Sequence, residues 1–152
     1  MNILQRNRGL AVAALVSIVT VMTVSCAMMD KKEQGGSTMS EISLSGAQEV
    51  PPVSTGASGK STIKIASDKS VSGMIQTSGI AATAAHIHEA PMGANGPVII
   101  PLTKTPDGNF SVPENAKLTD AQYASYMAGN LYVNVHSAAY PGGEIRAQLS
   151  SK

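Results

Sequence analysis

The sequence predicts an all-β, antiparallel domain with one short helix, and three observations carry that prediction. From Glu41 onward apolar residues recur at alternate positions in short runs, the period of a half-buried strand. Clusters of Gly, Pro, Asn, Asp and Ser interrupt these runs every ten or so residues, a spacing that suits a sandwich or barrel better than a parallel sheet. One stretch, LTDAQYASYMAGN at 118–130, reads as helical instead.

Ile42 and Leu44 alternate in the first strand. Gln48, Glu49, Pro51 and Pro52 then form a rigid loop or edge, where proline's missing N–H discourages unwanted pairing. Ile63 and Ile65 mark the next strand, and Val71, Gly73 and Ile75 share a face in the one after. In AAHIHE at 84–89, Ala85 and Ile87 point to the core, so His86 and His88 project together from the opposite face. Gly93, Gly96 and Pro97 make a turn, followed by Val98 to Ile100 as a buried run. Thr119 with Gln122 three residues on matches a capping box, and Gly129 is a stop signal, so the helix runs from Asp120 to Met127. Leu131, Val133 and Val135 take the core face of the next strand, which turns Tyr132, Asn134 and His136 away from it. Pro141, Gly142 and Gly143 form a turn, and Ile145, Ala147 and Leu149 close the sheet. Glu144 and Arg146 share the other face of that last strand, placed to pair with each other or across strands.

The N-terminus carries a different plan. Arg6 and Arg8, an uncharged apolar run from Leu10 to Val24, and Ser25 before Cys26 follow the order of a secretory signal over 1–25. The run is shorter than the roughly twenty apolar residues of a membrane-spanning helix. TVSC at 23–26 resembles the lipobox of bacterial lipoproteins, in which the cysteine is lipidated and heads the mature chain; Thr23 departs from the favoured leucine. The alternative is a plain cleaved signal with a passenger cysteine. Residues 26–40 are polar and lack apolar periodicity, a flexible tether, and 41–152 remain as the folded domain. The expected location is the cell envelope, lipid-anchored to a membrane, and otherwise periplasmic or secreted. Ala27, rather than an acid after the cysteine, points to the outer membrane where the source has one.

Cys26 is the sole cysteine, so no disulfide forms within the chain and the domain relies on its core. Without the two leader arginines, nine of the eleven Lys+Arg remain against ten Asp+Glu. The near-neutral domain has no basic stripe, which argues against nucleic acid as a partner. No serine sits in G-x-S-x-G, and no strand-loop-helix unit surrounds the glycines, so neither a hydrolase elbow nor a phosphate cradle is supported.

Three blocks carry a family resemblance: LSGAQEVPPVSTGASG at 44–59, AAHIHEAPMGANGPVIIPL at 84–102 and LYVNVHSAAYPGGEIRAQL at 131–149. Together they resemble the CHRD domain, the chordin-type module found singly in many exported bacterial proteins. Ala90 and Ala147 stand where the family often has glycine. The resemblance implies a Greek-key β-sandwich of immunoglobulin-like or superoxide-dismutase-like type and attaches no general catalytic activity. It leaves open a binding module with an envelope protein as partner.

The histidines carry the chemistry. His86 and His88 lie about 6 to 7 Å apart at Cα on one strand face, and His136 joins them if its strand is a neighbour. Three imidazoles with an open fourth position suit copper or zinc. Glu89 is the nearest acid but has the wrong parity, and Met92 offers a soft thioether to reduced copper. The competing reading is structural: such histidines also hydrogen-bond backbone carbonyls and stiffen loops. HIH with VNVH is similar to three copper ligands of copper/zinc superoxide dismutase, and Arg146 lies where a substrate-guiding arginine is sought. Against an enzyme, no histidine remains to bridge to zinc and the structural disulfide cannot form.

Overall fold

The computed structural model describes residues 41–151. The signal, Cys26 and the tether lie outside the described residues.

The first half of the domain builds one side of the sheet. β1 (Ile42–Ser45) runs into a 3₁₀ turn at Gly46–Gln48 and pairs with β2 (Ser58–Ser61), which pairs in turn with β5 (Met74–Ser78). Between these last two, β3 (Lys64–Ile65) and β4 (Val71–Ser72) form a separate two-stranded ribbon. Ile63, Ile65, Val71 and Ile75 are all buried, as their alternation predicts. Gly73 takes φ +116° between β4 and β5, so one apolar periodicity is carried by two strands.

The second half holds the histidines. β6 (Ala82–Glu89) pairs antiparallel with β10 (Leu131–Ser137), and β10 pairs with β11 (Ile145–Leu149). β11 returns to β1, joining the two ends of the domain. β7 (Val98–Pro101) and β8 (Thr103–Lys104) are separated by Leu102 alone, whose N–H donates to the Ala85 carbonyl at 2.9 Å. The first of them pairs with β6 and the second with β9 (Phe110–Ser111), which itself pairs with β5. The nine-stranded sheet, in the order β7-β6-β10-β11-β1-β2-β5-β9-β8, therefore returns almost onto itself as a nearly closed barrel. Successive strands β6, β7–β8 and β9 are followed by a long connection that brings β10 back beside β6, the Greek-key order.

That long connection carries α1 (Asp120–Met127), with the bounds and the Thr119–Gln122 capping box the sequence predicts. Gly129 follows it at φ +75°, the left-handed position of a helix stop. The all-β antiparallel architecture with one helix is thus as expected.

The core sits inside this curled sheet. Ile75, Ile87, Phe110, Leu131, Val133, Val135, Ile145 and Ala147 are each 0% exposed. The period of two that buries them also turns alternate residues of β6, β10 and β11 onto the outer face. One expectation is corrected: of the Val98–Ile100 run only Ile100 is buried, and Val98 is 46% exposed. β7 shifts register against β6 between Ile87 and His88, and Val98 lies beyond that irregularity, opposite His88.

Candidate metal centre

Strand register fixes the outer face. His88 stands opposite Tyr132, which stands opposite Gln148; His86 stands opposite Asn134, which stands opposite Arg146. His136 follows two residues after Asn134 on the same face. Asn134 therefore occupies the middle of a patch bordered by His86, His136, Tyr132 and Arg146. The sequence separates these groups by up to sixty residues, and the order β6-β10-β11 joins them.

The three imidazoles converge. One nitrogen from each of His86, His88 and His136 lies within 4.8 Å of the others. Ring centres are 4.7 Å apart for His86 and His136, 5.5 Å for His86 and His88, and 6.3 Å for His88 and His136. His88 Nδ1 is 2.9 Å from the Gly96 carbonyl and His136 Nδ1 is 3.0 Å from the Pro141 carbonyl. A carbonyl only accepts, so both Nδ1 atoms carry a proton, and in the neutral ring Nε2 then presents its lone pair. His86 Nδ1 then donates to His136 Nε2 at 2.9 Å, while His88 Nε2 is buried with no partner. Backbone carbonyls that fix the tautomer of an imidazole are the usual outer support of a metal-binding histidine.

Electrostatics favour the neutral forms of His86 and His136. Burial, then the neighbouring His136 and His88 rings, hold His86 below the ordinary histidine value. Burial also lowers His136, against the Pro141 carbonyl, which raises it; His88 adds to the lowering.

Two loops roof the patch. The 90–97 loop is pinned by Arg146, whose Nη2 donates to the Ala94 carbonyl at 2.9 Å and whose Nη1 donates to Asn95 Oδ1 at 3.2 Å. Asn95 Nδ2 in turn donates to the Val50 carbonyl at 2.7 Å, tying this loop to the proline-rich one. Gly96 passes so close to β6 that an added Cβ would meet the Glu89 carbonyl oxygen at 1.9 Å; only glycine lets its carbonyl reach His88. The Gly96 N–H donates to Tyr132 Oη at 3.2 Å. The Tyr132 ring stacks on His88 at 4.7 Å and 8°, and carries the Arg146 guanidinium 3.4 Å from its centre, a cation–π contact. Under the roof Arg146 is 1% exposed, Asn134 2% and Glu49 5%. Burial raises the Glu49 carboxyl, while the Arg146 charge and the Val50 N–H lower it.

The remaining sequence expectations divide clearly. Glu89 stays outside the histidine group and accepts from Ser125 of α1 at 2.5 Å, as its parity implies. Met92 is 79% exposed. Arg146 is built into the sheet face by its contacts with Ala94, Asn95 and Tyr132, which does not suit the substrate-guiding role considered for it. It forms no ion pair with Glu144, whose carboxylate is held by Thr55 at 2.6 Å and Ser137 at 2.5 Å. Sequence reading missed Glu49, Tyr132 and Asn134 as parts of this patch. Parity put Tyr132 and Asn134 on the outer face; the roof that buries them comes from distant loops.

Comparison with known proteins gives one family and nothing nearer. No curated protein and no solved structure matches the chain. The family model of the CHRD domain matches residues 41–149, which span every strand, both roofing loops and all three histidines. The chain belongs to the CHRD domain family.

Proposed function

We propose that this protein is an exported, lipid-anchored CHRD module that holds one copper or zinc ion through His86, His88 and His136. The observation that carries this reading is the convergence of three imidazole nitrogens within 4.8 Å on one face. The donor set suits the ion: three neutral imidazoles bind copper or zinc and leave a position open. Metal–nitrogen bonds of about 2.0–2.1 Å put ligand nitrogens roughly 3.3–3.6 Å apart. An ion held by all three would take the place of the His86–His136 hydrogen bond, and the proton on His86 Nδ1 would pass to that ring's Nε2 or to solvent. In this reading the module buffers, delivers or is stabilised by the metal outside the cytoplasm. Cys26 supplies the lipid anchor to the envelope membrane, the outer one where there are two, and TVSC after the apolar run supports it.

A second reading has its own observation. The His86–His136 hydrogen bond satisfies two of the three rings without any ion, as a metal-free interaction or envelope-scaffold module would need. A dismutase reading is weaker, because Arg146 is engaged by Ala94, Asn95 and Tyr132. Calorimetric titration of copper and zinc into the purified protein separates these readings. The metal reading predicts one ion per chain and an affinity loss on the order of a hundredfold for each histidine-to-alanine variant. Equal affinity in wild type and all three variants rejects it.

A further inference from the structure

Asn95–Gly96 is the one place in the chain where asparagine precedes glycine. With no side chain on the following residue, the Gly96 amide nitrogen is free to close on Asn95 Cγ, and such a pair is labile in an open chain. Asn95 is exposed, so water reaches it. Both residues nevertheless have structural reasons to be there. Glycine is forced at 96 by the Glu89 carbonyl oxygen, 1.9 Å from where a Cβ would stand. Asparagine at 95 both donates and accepts: its Nδ2 donates to the Val50 carbonyl at 2.7 Å, and its Oδ1 accepts from Arg146 Nη1 at 3.2 Å. An aspartate could do only the second.

We propose that Asn95–Gly96 is a latent deamidation site, held unreacted by the roof, and that its conversion to isoaspartate releases His88. In the reaction the Gly96 nitrogen loses its proton to hydroxide or water and attacks Asn95 Cγ. The new C–N bond closes a succinimide, the Cγ–Nδ2 bond breaks, and Nδ2 leaves as ammonia. Water then opens the ring, at the main-chain carbonyl to give isoaspartate or at Cγ to give aspartate. Two hydrogen bonds of the fold are consumed along the way. The proton that leaves is the one Gly96 donates to Tyr132 Oη at 3.2 Å, and the departing nitrogen is the one that donates to Val50. Tyr132 is 2% exposed and lies between His88 and Arg146, so its oxygen stays in place. The loop must therefore open before the chemistry starts, and only the open fraction reacts.

Isoaspartate lengthens the main chain by a methylene between Cα of residue 95 and the Gly96 nitrogen. Gly96 is seated too tightly against Glu89 to absorb it, and its carbonyl is the one that His88 Nδ1 meets at 2.9 Å. The modified loop thus lets go of the ring whose tautomer it had fixed.

The test ages full-length, metal-free protein in mildly alkaline buffer and quantifies aspartate and isoaspartate at position 95 by peptide mass spectrometry with electron-transfer fragmentation. A synthetic peptide of residues 88–99 is the open-chain reference. Folded wild type is expected to deamidate at least roughly tenfold more slowly than the peptide. Tyr132→Phe keeps the ring stack but removes the acceptor of the Gly96 N–H, and is expected to react severalfold faster than wild type. Phe110→Ala, weakened in the core and held well below its melting temperature, is expected to react at the wild-type rate. Purified protein carrying isoaspartate at position 95 is expected to lose the His88 Nδ1 proton signal that wild type shows by NMR. Wild type reacting as fast as the peptide overturns the proposal, whether or not Tyr132→Phe folds. Tyr132→Phe no faster than Phe110→Ala overturns the protecting contact, and an unchanged His88 proton signal in the isoaspartate form overturns the release.

Discussion

His86 Nδ1 donates to His136 Nε2 at 2.9 Å, across the β6–β10 pairing and fifty residues of chain. The bond requires a free lone pair on His136 Nε2 and holds the two rings close; His86 Nδ1 can take an ion once its proton has moved.

Acid should destabilise the metal-free protein. The folded values of His86 and His136 lie below the unfolded histidine value of about 6.5. As pH falls through that value, the unfolded chain takes up protons that the fold resists. The neutral-ring contribution is therefore complete above about pH 6.5 and lost as pH falls toward the lowered folded values. Melting temperature measured in chelator from pH 7.5 to 5 should fall more steeply for wild type than for the His86→Ala, His136→Ala double variant. Parallel curves would contradict the assignment.

Arg146→Met should weaken fold and site together. It removes the cation over Tyr132 and the hydrogen bonds to Ala94 and Asn95, and leaves buried Glu49 without its compensating charge. A loss of about 2–4 kcal/mol in urea unfolding is expected, with copper affinity reduced through the loosened 90–97 loop. Unchanged stability would mean that the guanidinium is not structural.

Two glycines make a matched pair. An alanine Cβ at Gly96 meets the Glu89 carbonyl oxygen at 1.9 Å, while at Gly142 it meets nothing within 4 Å. Gly96→Ala should cost about 2 kcal/mol or more and lower metal affinity on the order of tenfold by displacing the carbonyl that holds His88. Gly142→Ala should stay within about 0.5 kcal/mol of wild type. Similar melting temperatures for the two variants would refute the close approach.

Phe110→Ala separates core from site. Phe110 is 0% exposed on the core side of the sheet, so truncation should cost about 3–5 kcal/mol. Copper affinity of the variant, measured well below its melting temperature, should remain near wild type. A parallel loss of affinity would show that the histidine face is not held independently of β9.

Cys26→Ala should abolish incorporation of a fatty-acid label and release the protein from membranes. Membrane retention equal to wild type would remove the anchor.

Much of this architecture was legible because strand parity is a local property. Leu131, Val133 and Val135 announce the core face, and so place Tyr132, Asn134 and His136 outside it. The helix was legible from its cap at Thr119 and Gln122 and its stop at Gly129. Closure of the sheet was not, since it depends on β8 and β9, two-residue strands whose only core residue is Phe110. The roof was not legible either. Alternation assigns Asn134 and Arg146 to an outer face and implies solvent; what buries them is a glycine-rich loop and a proline-rich loop meeting through Asn95 and Val50. Glu49 was read as part of a rigid edge because burial of an acid leaves no periodic trace.

The central claim is that three imidazoles share one ion, and X-ray absorption of protein carrying one equivalent of copper or zinc tests it most directly. The account predicts three histidine nitrogens at about 2.0–2.1 Å with imidazole outer-shell scattering, falling to two in each of His86→Ala, His88→Ala and His136→Ala. A spectrum without imidazole scattering, or one unchanged by all three substitutions, would contradict it.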